Sequence, residues 1–457
     1  MNAAERAELL GGGKIRRVLV KLAVPSIVSL AAVAVFNIID AAFVARLGTP
    51  QLGAITVAFP IFAVVAGVGQ TFGTGAASLI SRLLGAGKKH QADRIASTAI
   101  LSVLGIGLIV AGLGQLFLSD LLSLLGATDT ILPHATVYAR ILIVANVFTT
   151  LNITMTNMLR SEGNAFLAMT GVIVSTSSNI VLDPICIFLL DMGIRGAAVA
   201  TLISQLFTFL LLASTYFRRQ NHCHIKVKLF SFGRETMVKL IQLGAPMFLL
   251  QLLGSIALAV INIAAKPYGD AAVASVGLSF RVLILGMYIM YGMSLGLQPL
   301  VGFNYGGGRL DRVFESIKTT FRWTSTFGVV YAAVIVIGAR MIVSLFSPDP
   351  EVIDVGTRIL RAVTLLFPFF GLQVVVAILF QSLGMAVPAA LIFVARQALF
   401  FLPAIVVLPR FFGLDGVIYS QPVADILTTI LTVVLAIRLI RRLQREREPL
   451  ALTNTTL

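Results

Sequence analysis

The sequence predicts an all-α integral membrane protein in which twelve transmembrane helices form two pseudo-symmetric six-helix bundles. Three observations predict this fold: a strongly apolar composition, apolar stretches that match the thickness of a bilayer, and an internal repeat. Hydrophobic residues make up 58% of the 457 residues, charged residues make up 12%, and the mean hydropathy is +0.95. Charged residues at this low frequency cannot cover a water-soluble surface. We therefore expect the chain to lie in lipid.

Apolar stretches of about 20 residues, the length that crosses a bilayer, recur along the whole chain. The twelve predicted transmembrane helices, each with boundaries good to about four residues, span 15–47, 53–84, 93–118, 131–159, 166–190, 195–217, 237–265, 272–303, 314–346, 352–382, 386–410 and 416–440. The first apolar stretch is far longer than the core of a signal peptide, so we expect it to remain in the protein.

The chain repeats itself with an offset of 221 residues. Pro25 aligns with Pro246, and LRSEGNA at 159–165 reappears as FQSLGMA at 380–386. Because each unit holds an even number of spans, the two units share one orientation, as in transporters whose halves rock about a central cavity. The predicted domains are an N-terminal lobe at 1–217, a cytoplasmic linker at 218–236, a C-terminal lobe at 237–441 and a cytoplasmic tail at 442–457.

The formal net charge of +15 is spread over alternate loops. Most basic residues fall on the side of the N-terminus, whereas the opposite segment around 349–354 carries acids. This bias predicts that both termini are cytoplasmic and that the protein lies in the inner cell membrane. A nucleic-acid partner is not expected, because it would need a basic folded domain and the longest soluble stretch, near 218–236, is too short to fold alone.

Three carboxylates fall inside predicted spans: Asp40, Asp183 and Asp425. A charge at membrane depth is costly, so such residues are functional-site candidates by default. Asp40 and Asp183 each lie about seven residues from the outer end of their helices, which places them in one layer. Asp425 lies at a depth similar to that of Arg281 and Arg396, and for Asp425 we favour a structural ion pair.

Three more oxygen-bearing side chains of the N-terminal half share the layer of Asp40 and Asp183. They are Tyr138, Asn179 and Thr201, and Asn179 lies one helical turn before Asp183 on the same face. Two carboxylates, an amide, a hydroxyl and a phenol, about 10 Å below the outer surface, predict a site for a proton or a cation. A sodium ion is the alternative to a proton, with Asp40, Asn179, Asp183 and Thr201 as ligands. A purely structural role for the two acids is the competing interpretation.

Two prolines are predicted to bend helices of this half. Pro184 removes a backbone hydrogen bond directly after Asp183, and Pro25 gives the helix that carries Asp40 a kink. No phosphate-binding loop and no metalloenzyme motif occur in the sequence. We therefore expect neither an enzyme nor a cofactor, and we expect transport to be driven by an H⁺ or Na⁺ gradient.

The motifs FNIIDAAFVARLG around Asp40, MLRSEGNA at 158–165 and SNIVLDPICIF around Asp183 resemble those of the multidrug and toxic compound extrusion (MATE) transporters. The resemblance covers essentially the whole chain and is strongest to the prokaryotic DinF-like branch. It implies a V-shaped pair of six-helix bundles, with the five polar side chains above as the cation site of the N-lobe. It also implies export of organic cations and other amphipathic xenobiotics in exchange for protons or sodium.

The C-terminal half departs from the branch of the family that binds sodium there. The residues that align with Asp40 and Asp183 are Ile261 and about Ala404, so we do not expect a cation site in the C-lobe. We expect a monomer that contacts lipid and small amphipathic, cationic substrates, which a cavity of Met, Phe and aliphatic side chains would accommodate. A flippase for lipid-linked oligosaccharides is the alternative, and it would need basic residues in the cavity. The basic candidates are Arg140, Arg281 and Arg396.

Overall fold

The computed structural model describes residues 3–218 and 221–454, and the described chain contains helices and turns but no β-strand. The remaining residues, 1–2, 219–220 and 455–457, belong to the predicted N-terminal lobe, linker and tail and lie outside the described part. The α-helices are α1 (Ala3–Gly12), α2 (Ile15–Ala45), α3 (Thr49–Gly85), α4 (Lys89–Leu124), α5 (Leu132–Ser161), α6 (Ala165–Pro184), α7 (Gly193–Phe217), α8 (Arg234–Ala265), α9 (Asp270–Gly306), α10 (Leu310–Ser344), α11 (Pro350–Thr364), α12 (Phe367–Ser382), α13 (Ala386–Val394), α14 (Leu402–Phe412) and α15 (Leu414–Asn454).

The predicted twelve-span architecture is confirmed. Within the described residues, eleven helical segments are long and apolar enough to cross a bilayer, and the bent pair of α11 and α12 makes the twelfth span. These two helices meet at an angle of 48°. Pro368 stands in the first turn of α12 and disfavours helical geometry in the residue before it, which explains the break.

Four glycines of the internal repeat end helices in the same way. Gly87, Gly163, Gly308 and Gly384 all have positive φ angles, between 71° and 82°. In each case the following residue donates its N–H to the carbonyl five residues back, at 2.8 to 2.9 Å. Glycine adopts this left-handed conformation at no steric cost, so the glycine-rich loops after α3 and α9 are helix caps.

The two lobes pack against each other through glycines that obey the repeat. Gly85 of α3 lies on the backbone carbonyl of Phe303 in α9, and Gly306 of α9 lies on the carbonyl of Arg82 in α3. Each residue of the second contact is 221 positions from its counterpart in the first. A side chain at either glycine would collide with backbone, so these positions require glycine.

All these inter-lobe contacts lie near one end of the bundle, where α2 begins and α10 begins; we call it the terminus-proximal end. Further along, Gly296 packs on Ala23 of α2, Gly244 packs on Thr71 of α3, and Gly67 is covered by the ring of Phe248. Among the described glycines, those nearer the opposite end of α8 and α9, namely Gly254, Gly277 and Gly286, make no contact with the N-lobe. The cleft between the lobes therefore opens away from the terminus-proximal end.

The short helix α1, which the sequence did not predict, lies across both lobes at the terminus-proximal end. Asn304 of the C-lobe donates to the carbonyl of Leu10 at 3.0 Å, and Arg312 donates to the carbonyl of Gly13 at 2.7 Å. On the other side, Arg6 of α1 is buried beside Glu162 of the N-lobe. This helix therefore bridges the two halves.

The segment between α7 and α8 is held on the N-lobe by its own backbone. The N–H groups of four linker residues donate to side chains of the N-lobe at 2.7 to 3.3 Å. These four bonds run from His222 to Glu162, from His224 to Asp93, from Lys226 to Ser97 and from Ser231 to Thr98. We call this hydrogen-bonded segment, residues 222–231, the strap.

Candidate functional site

The predicted polar cluster of the N-lobe lies where four helices approach one another. Asp40 comes from α2, Tyr138 from α5, Asn179 and Asp183 from α6, and Thr201 from α7. Asn179 and Asp183 are one turn apart on α6, so their side chains stack on the same face. Both are buried, with 3% and 1% of their surface exposed, whereas Asp40 is half-buried.

A hydrogen-bond chain links three of these side chains. With its nitrogen toward the carboxylate, the Asn179 amide donates to Oδ2 of Asp183 at 2.9 Å. The Asn179 oxygen then lies 3.3 Å from the hydroxyl of Thr201 and 3.2 Å from its backbone N–H. This orientation is assigned because it alone places a donor against the carboxylate.

The two carboxyl groups are close enough to share a hydrogen bond with each other. No basic side chain pairs with either of them among the described residues. The second oxygen of Asp183, Oδ1, is buried and meets no hydrogen-bond donor in the described part of the chain. A buried carboxylate oxygen without a donor is costly, so this oxygen is ready to bind a proton or a cation.

Tyr138 lies beside the two acids. Its ring makes an edge contact with Phe62, with 6.3 Å between the ring centres, and it interacts electrostatically with Asp40 and Asp183. Among the described residues, its hydroxyl makes no hydrogen bond to the other four side chains of the cluster. Tyr138 therefore forms a wall of the cluster, while the other four form the oxygen-bearing centre.

The backbone changes from one helix type to another directly after Asp183 and Pro184. Pro184 ends α6, and Ile185–Leu189 continue as a π-helix in which each turn holds one extra residue. Asp191 then takes a positive φ of 49°, which is strained for a residue other than glycine. We predicted a bend at Pro184, and the structure has a change from α-helix to π-helix there. Single π turns often mark functional sites.

Pro25 lies inside α2, as predicted, and the helix continues through it. Proline supplies no N–H, so the hydrogen bond to the carbonyl one turn earlier is lost. Ser26 donates its hydroxyl to the carbonyl of Leu22 at 2.9 Å, and Ser29 donates to the carbonyl of Pro25 at 2.8 Å. Such bonds favour bending, so this part of α2 is adapted to flex.

The third intramembrane acid has a different environment. Asp425 accepts a hydrogen bond from Nε of Arg396 at 2.7 Å and one from Gln421 at 3.1 Å. The Arg396 guanidinium lies 4.6 Å above the ring of Phe370. Arg281, the other predicted partner, is exposed and forms no ion pair among the described residues. The acids of the two lobes therefore differ, because only the C-lobe acid has a basic partner.

The sequence reasoning missed a buried acid at the terminus-proximal end. Glu162, in the SEGNA motif, is fully buried and accepts the backbone N–H of His222 at 2.7 Å. Burial raises the pKa of the Glu162 carboxyl to about 7. Arg6 and Tyr216 lie close to it. The SEGNA motif was the only signal, since these neighbours come from distant parts of the chain.

Comparison with known families decides what this architecture is. The profile of the MatE family matches residues 25–185 and matches again at residues 246–406. The chain belongs to the MATE family. The two matched regions of the transporter are 221 residues apart, which is the offset of its internal repeat.

The chain is similar to characterised members of this family over nearly its whole length. It is 30% identical to the multidrug export protein MepA of Staphylococcus haemolyticus strain JCSC1435 over 417 residues, 91% of this chain and 92% of that protein. A crystal structure of MATE in complex with MaL6 superposes with a TM-score of 0.91 at 25% identity and covers 96% of this chain and 99% of the other. A crystal structure of MATE in the bent conformation superposes with a TM-score of 0.90 at 25% identity, over 96% and 98%.

Proposed function

We propose that this MATE transporter is a secondary active multidrug efflux antiporter, which exports amphipathic organic cations and other xenobiotics in exchange for H⁺ or Na⁺. The observation that carries the proposal is the N-lobe centre of Asp40, Asn179, Asp183 and Thr201, with its unmatched carboxylate oxygen. A relative that matches over more than nine tenths of each chain is a multidrug export protein.

The chemistry of the carboxyl pair supports proton exchange. A hydrogen bond between two carboxyl groups requires a proton, because an ionised carboxylate is an acceptor only. Two like charges in a buried site also repel each other, and a proton shared between Asp40 and Asp183 relieves that repulsion. When that proton leaves, the pair gains a negative charge that attracts a cationic substrate. Proton and substrate then compete for one site, which is the requirement for antiport.

Sodium is the alternative coupling ion at the same centre. It would be a transported ion, and its ligands would be the oxygens of Asp40, Asn179, Asp183 and Thr201. Asn179 would turn its oxygen toward such an ion, which would break the bond that its nitrogen makes to Asp183. Proton coupling needs no such rearrangement, so we favour the proton.

The orientation in the membrane follows from the charges. Basic residues concentrate at the terminus-proximal end, which supports an orientation with that end and both termini in the cytoplasm. The lobes touch at that end. The described conformation then opens to the outside, where an exported substrate is released and a proton enters.

The flippase alternative has less support. It needs several free basic side chains that face the central cavity and bind a pyrophosphate. Of the three basic candidates, Arg396 pairs with Asp425, while Arg140 and Arg281 are exposed and belong to different lobes.

The test is dye efflux in proteoliposomes that contain the purified transporter. A pH gradient and a sodium gradient are imposed separately, with a protonophore as the control for the first and a sodium ionophore for the second. We expect ethidium to move against its gradient when the pH gradient is present. Movement driven only by sodium would assign sodium, and no movement with either gradient would contradict the proposed antiport.

A further inference from the structure

A cavity of about 80 Å³ penetrates the C-lobe between α8, α9, α11, α12, α15 and the π-helix Ala395–Phe401. One water molecule needs about 10–15 Å³ on the same scale, so the cavity has room for several waters or for a small ring. Aromatic and aliphatic side chains form most of its wall. They include Phe280, Leu283, Met287, Phe367 and Phe401.

The cavity includes two positions that the internal repeat relates to the N-lobe cluster. Ile261 and Ile359 line it, and these residues are 221 positions after Asp40 and Tyr138. The acid and the phenol of the N-lobe are therefore replaced by apolar side chains. The second half therefore has a pocket at these positions, and its chemistry differs from that of the N-lobe centre.

The polar end of the cavity carries a guanidinium. Arg396 and Asp425 both line the cavity, and Asp425 occupies the Nε side of the arginine at 2.7 Å. The contact from Nη2 of Arg396 to Asp425 is long, at 3.5 Å, and Nη1 meets no acceptor among the described residues. An arginine held on one edge in this way has donors left on its outer edge, where it is suited to a second planar acceptor.

Two further polar groups on the wall have no partner. The hydroxyl of Ser279, a residue with 1% of its surface exposed, and Oε1 of Gln397, with 9% exposed, form no hydrogen bond in the described part of the chain. Leaving a buried polar atom unpaired costs free energy, so such atoms call for a physical explanation. A ligand with hydrogen-bonding groups at this end would provide one.

We infer that the C-lobe cavity is a second ligand subsite, which binds the aromatic carboxylate end of an amphipathic substrate. A carboxylate matches the free edge of the Arg396 guanidinium, and an aryl ring matches the aromatic walls. The inference rests on the proposed function only in that the occupant is a transported substrate. With the acidic N-lobe centre, the two halves then present opposite charges, a combination suited to zwitterionic amphiphiles.

The test is equilibrium binding of salicylate, a fluorescent aryl carboxylate, to the purified full-length transporter in detergent. We expect saturable binding to the wild type and at least tenfold weaker binding to the double variant Arg396→Gln, Asp425→Asn, which removes both charges together. Gln397→Leu should weaken binding less. The matched control is Arg361→Gln, which removes an exposed arginine of the same lobe outside the cavity and should leave the affinity unchanged.

A labelling measurement covers the case in which the double variant does not fold. Cysteine is placed at Ser279 with the ion pair intact, and salicylate should slow its reaction with a small thiol reagent more than benzyltrimethylammonium does. Absence of saturable binding to the wild type, equal affinity in the folded double variant, or better protection by the cation would overturn the inference. Binding requires no ion gradient, so a transporter that binds salicylate but fails in efflux contradicts the proposed function alone.

Discussion

At the residue scale, Asp40 and Asp183 differ from the other intramembrane acid because each has the other as a charged neighbour and neither pairs with a basic side chain in the described part of the chain. We predict that Asp40→Asn abolishes gradient-driven dye efflux while the protein still folds, because an amide keeps the shape of the side chain but cannot exchange a proton. The measurement is efflux per folded molecule, with the folded fraction taken from size-exclusion chromatography in detergent. Wild-type efflux by this variant would remove the carboxyl pair from the coupling mechanism.

Asp425 should respond to the same substitution in the opposite way. Asp425→Asn leaves the largely buried Arg396 without its counter-charge, an effect on the order of 3 to 5 kcal/mol, so we predict a lower melting temperature in detergent. Efflux of a cationic dye per folded molecule should persist. Adding Arg396→Gln removes the orphaned charge and should recover most of the lost thermal stability. An unchanged melting temperature in the single variant would show that the ion pair is not structural.

The sequence predicted the members of the N-lobe centre because depth and helix periodicity depend on local information alone. Asn179 and Asp183 share a face by their spacing, and counting from the helix ends places Asp40 level with them. The sequence could not show which arginine pairs with Asp425, because Arg281 and Arg396 have similar depths. The partner is decided by how each helix is rotated about its own axis. That rotation depends on packing and on a π-helix that hydropathy does not record.

At the scale of elements, the strap and the loop after α5 depend on Glu162. Its folded pKa, about 7, lies above the usual carboxyl value, so the folded protein binds more protons than the unfolded chain between those two values. This contribution to stability is complete at low pH and is lost as the pH rises through 7. We predict that the melting temperature of the wild type falls between pH 5 and 8.

Glu162→Gln provides the control for this prediction. Glutamine still accepts the N–H of His222 but has no charge to bury. The melting temperature of the variant should therefore fall less than that of the wild type over the same pH range. The groups around Glu162, namely Arg6, Tyr216, His222 and Cys223, are common to both proteins, so the difference between the two curves reports Glu162. Parallel curves for the two proteins would refute the assignment.

The elements themselves were predicted to different degrees. Hydropathy gave all twelve spans, because a bilayer-spanning helix must be apolar over its whole length. Hydropathy did not predict α1, because this helix is too short and too polar to resemble a membrane span. Leu10 of α1 is nevertheless buried between the lobes. Hydropathy also predicted α11 and α12 as one continuous span, because a bend of 48° does not change the amino-acid composition of the segment.

At the scale of the whole molecule, the two lobes meet through backbone at the repeat-related glycines. We predict that Gly306→Ala weakens this contact, because a methyl group there would collide with the carbonyl of Arg82. The measurement is the rate at which a cysteine at Ser81, a buried residue beside Gly302, reacts with a thiol reagent. The rate should rise several-fold when the native cysteines have been replaced by alanine.

The matched control is Gly105→Ala in α4. An added methyl group at Gly105 meets open space, so this variant tests the loss of a membrane glycine without a change in the contact between the lobes. Equal labelling rates in the two alanine variants would mean that the glycine contact does not hold the terminus-proximal end closed.

The strap sets a limit on how the lobes move relative to each other. Its last bond joins Ser231 to Thr98, and only Phe232 and Gly233 separate it from the start of α8. From Ser231 to Arg234 the chain makes three Cα–Cα steps, which span about 10 Å when extended, so the free connection between the lobes is short. The C-lobe can pivot about this point but cannot drift away from it. When the lobes separate, this connection keeps their contact surfaces at a high local concentration. The lobes therefore rejoin by an intramolecular step and do not depend on diffusion through the bilayer.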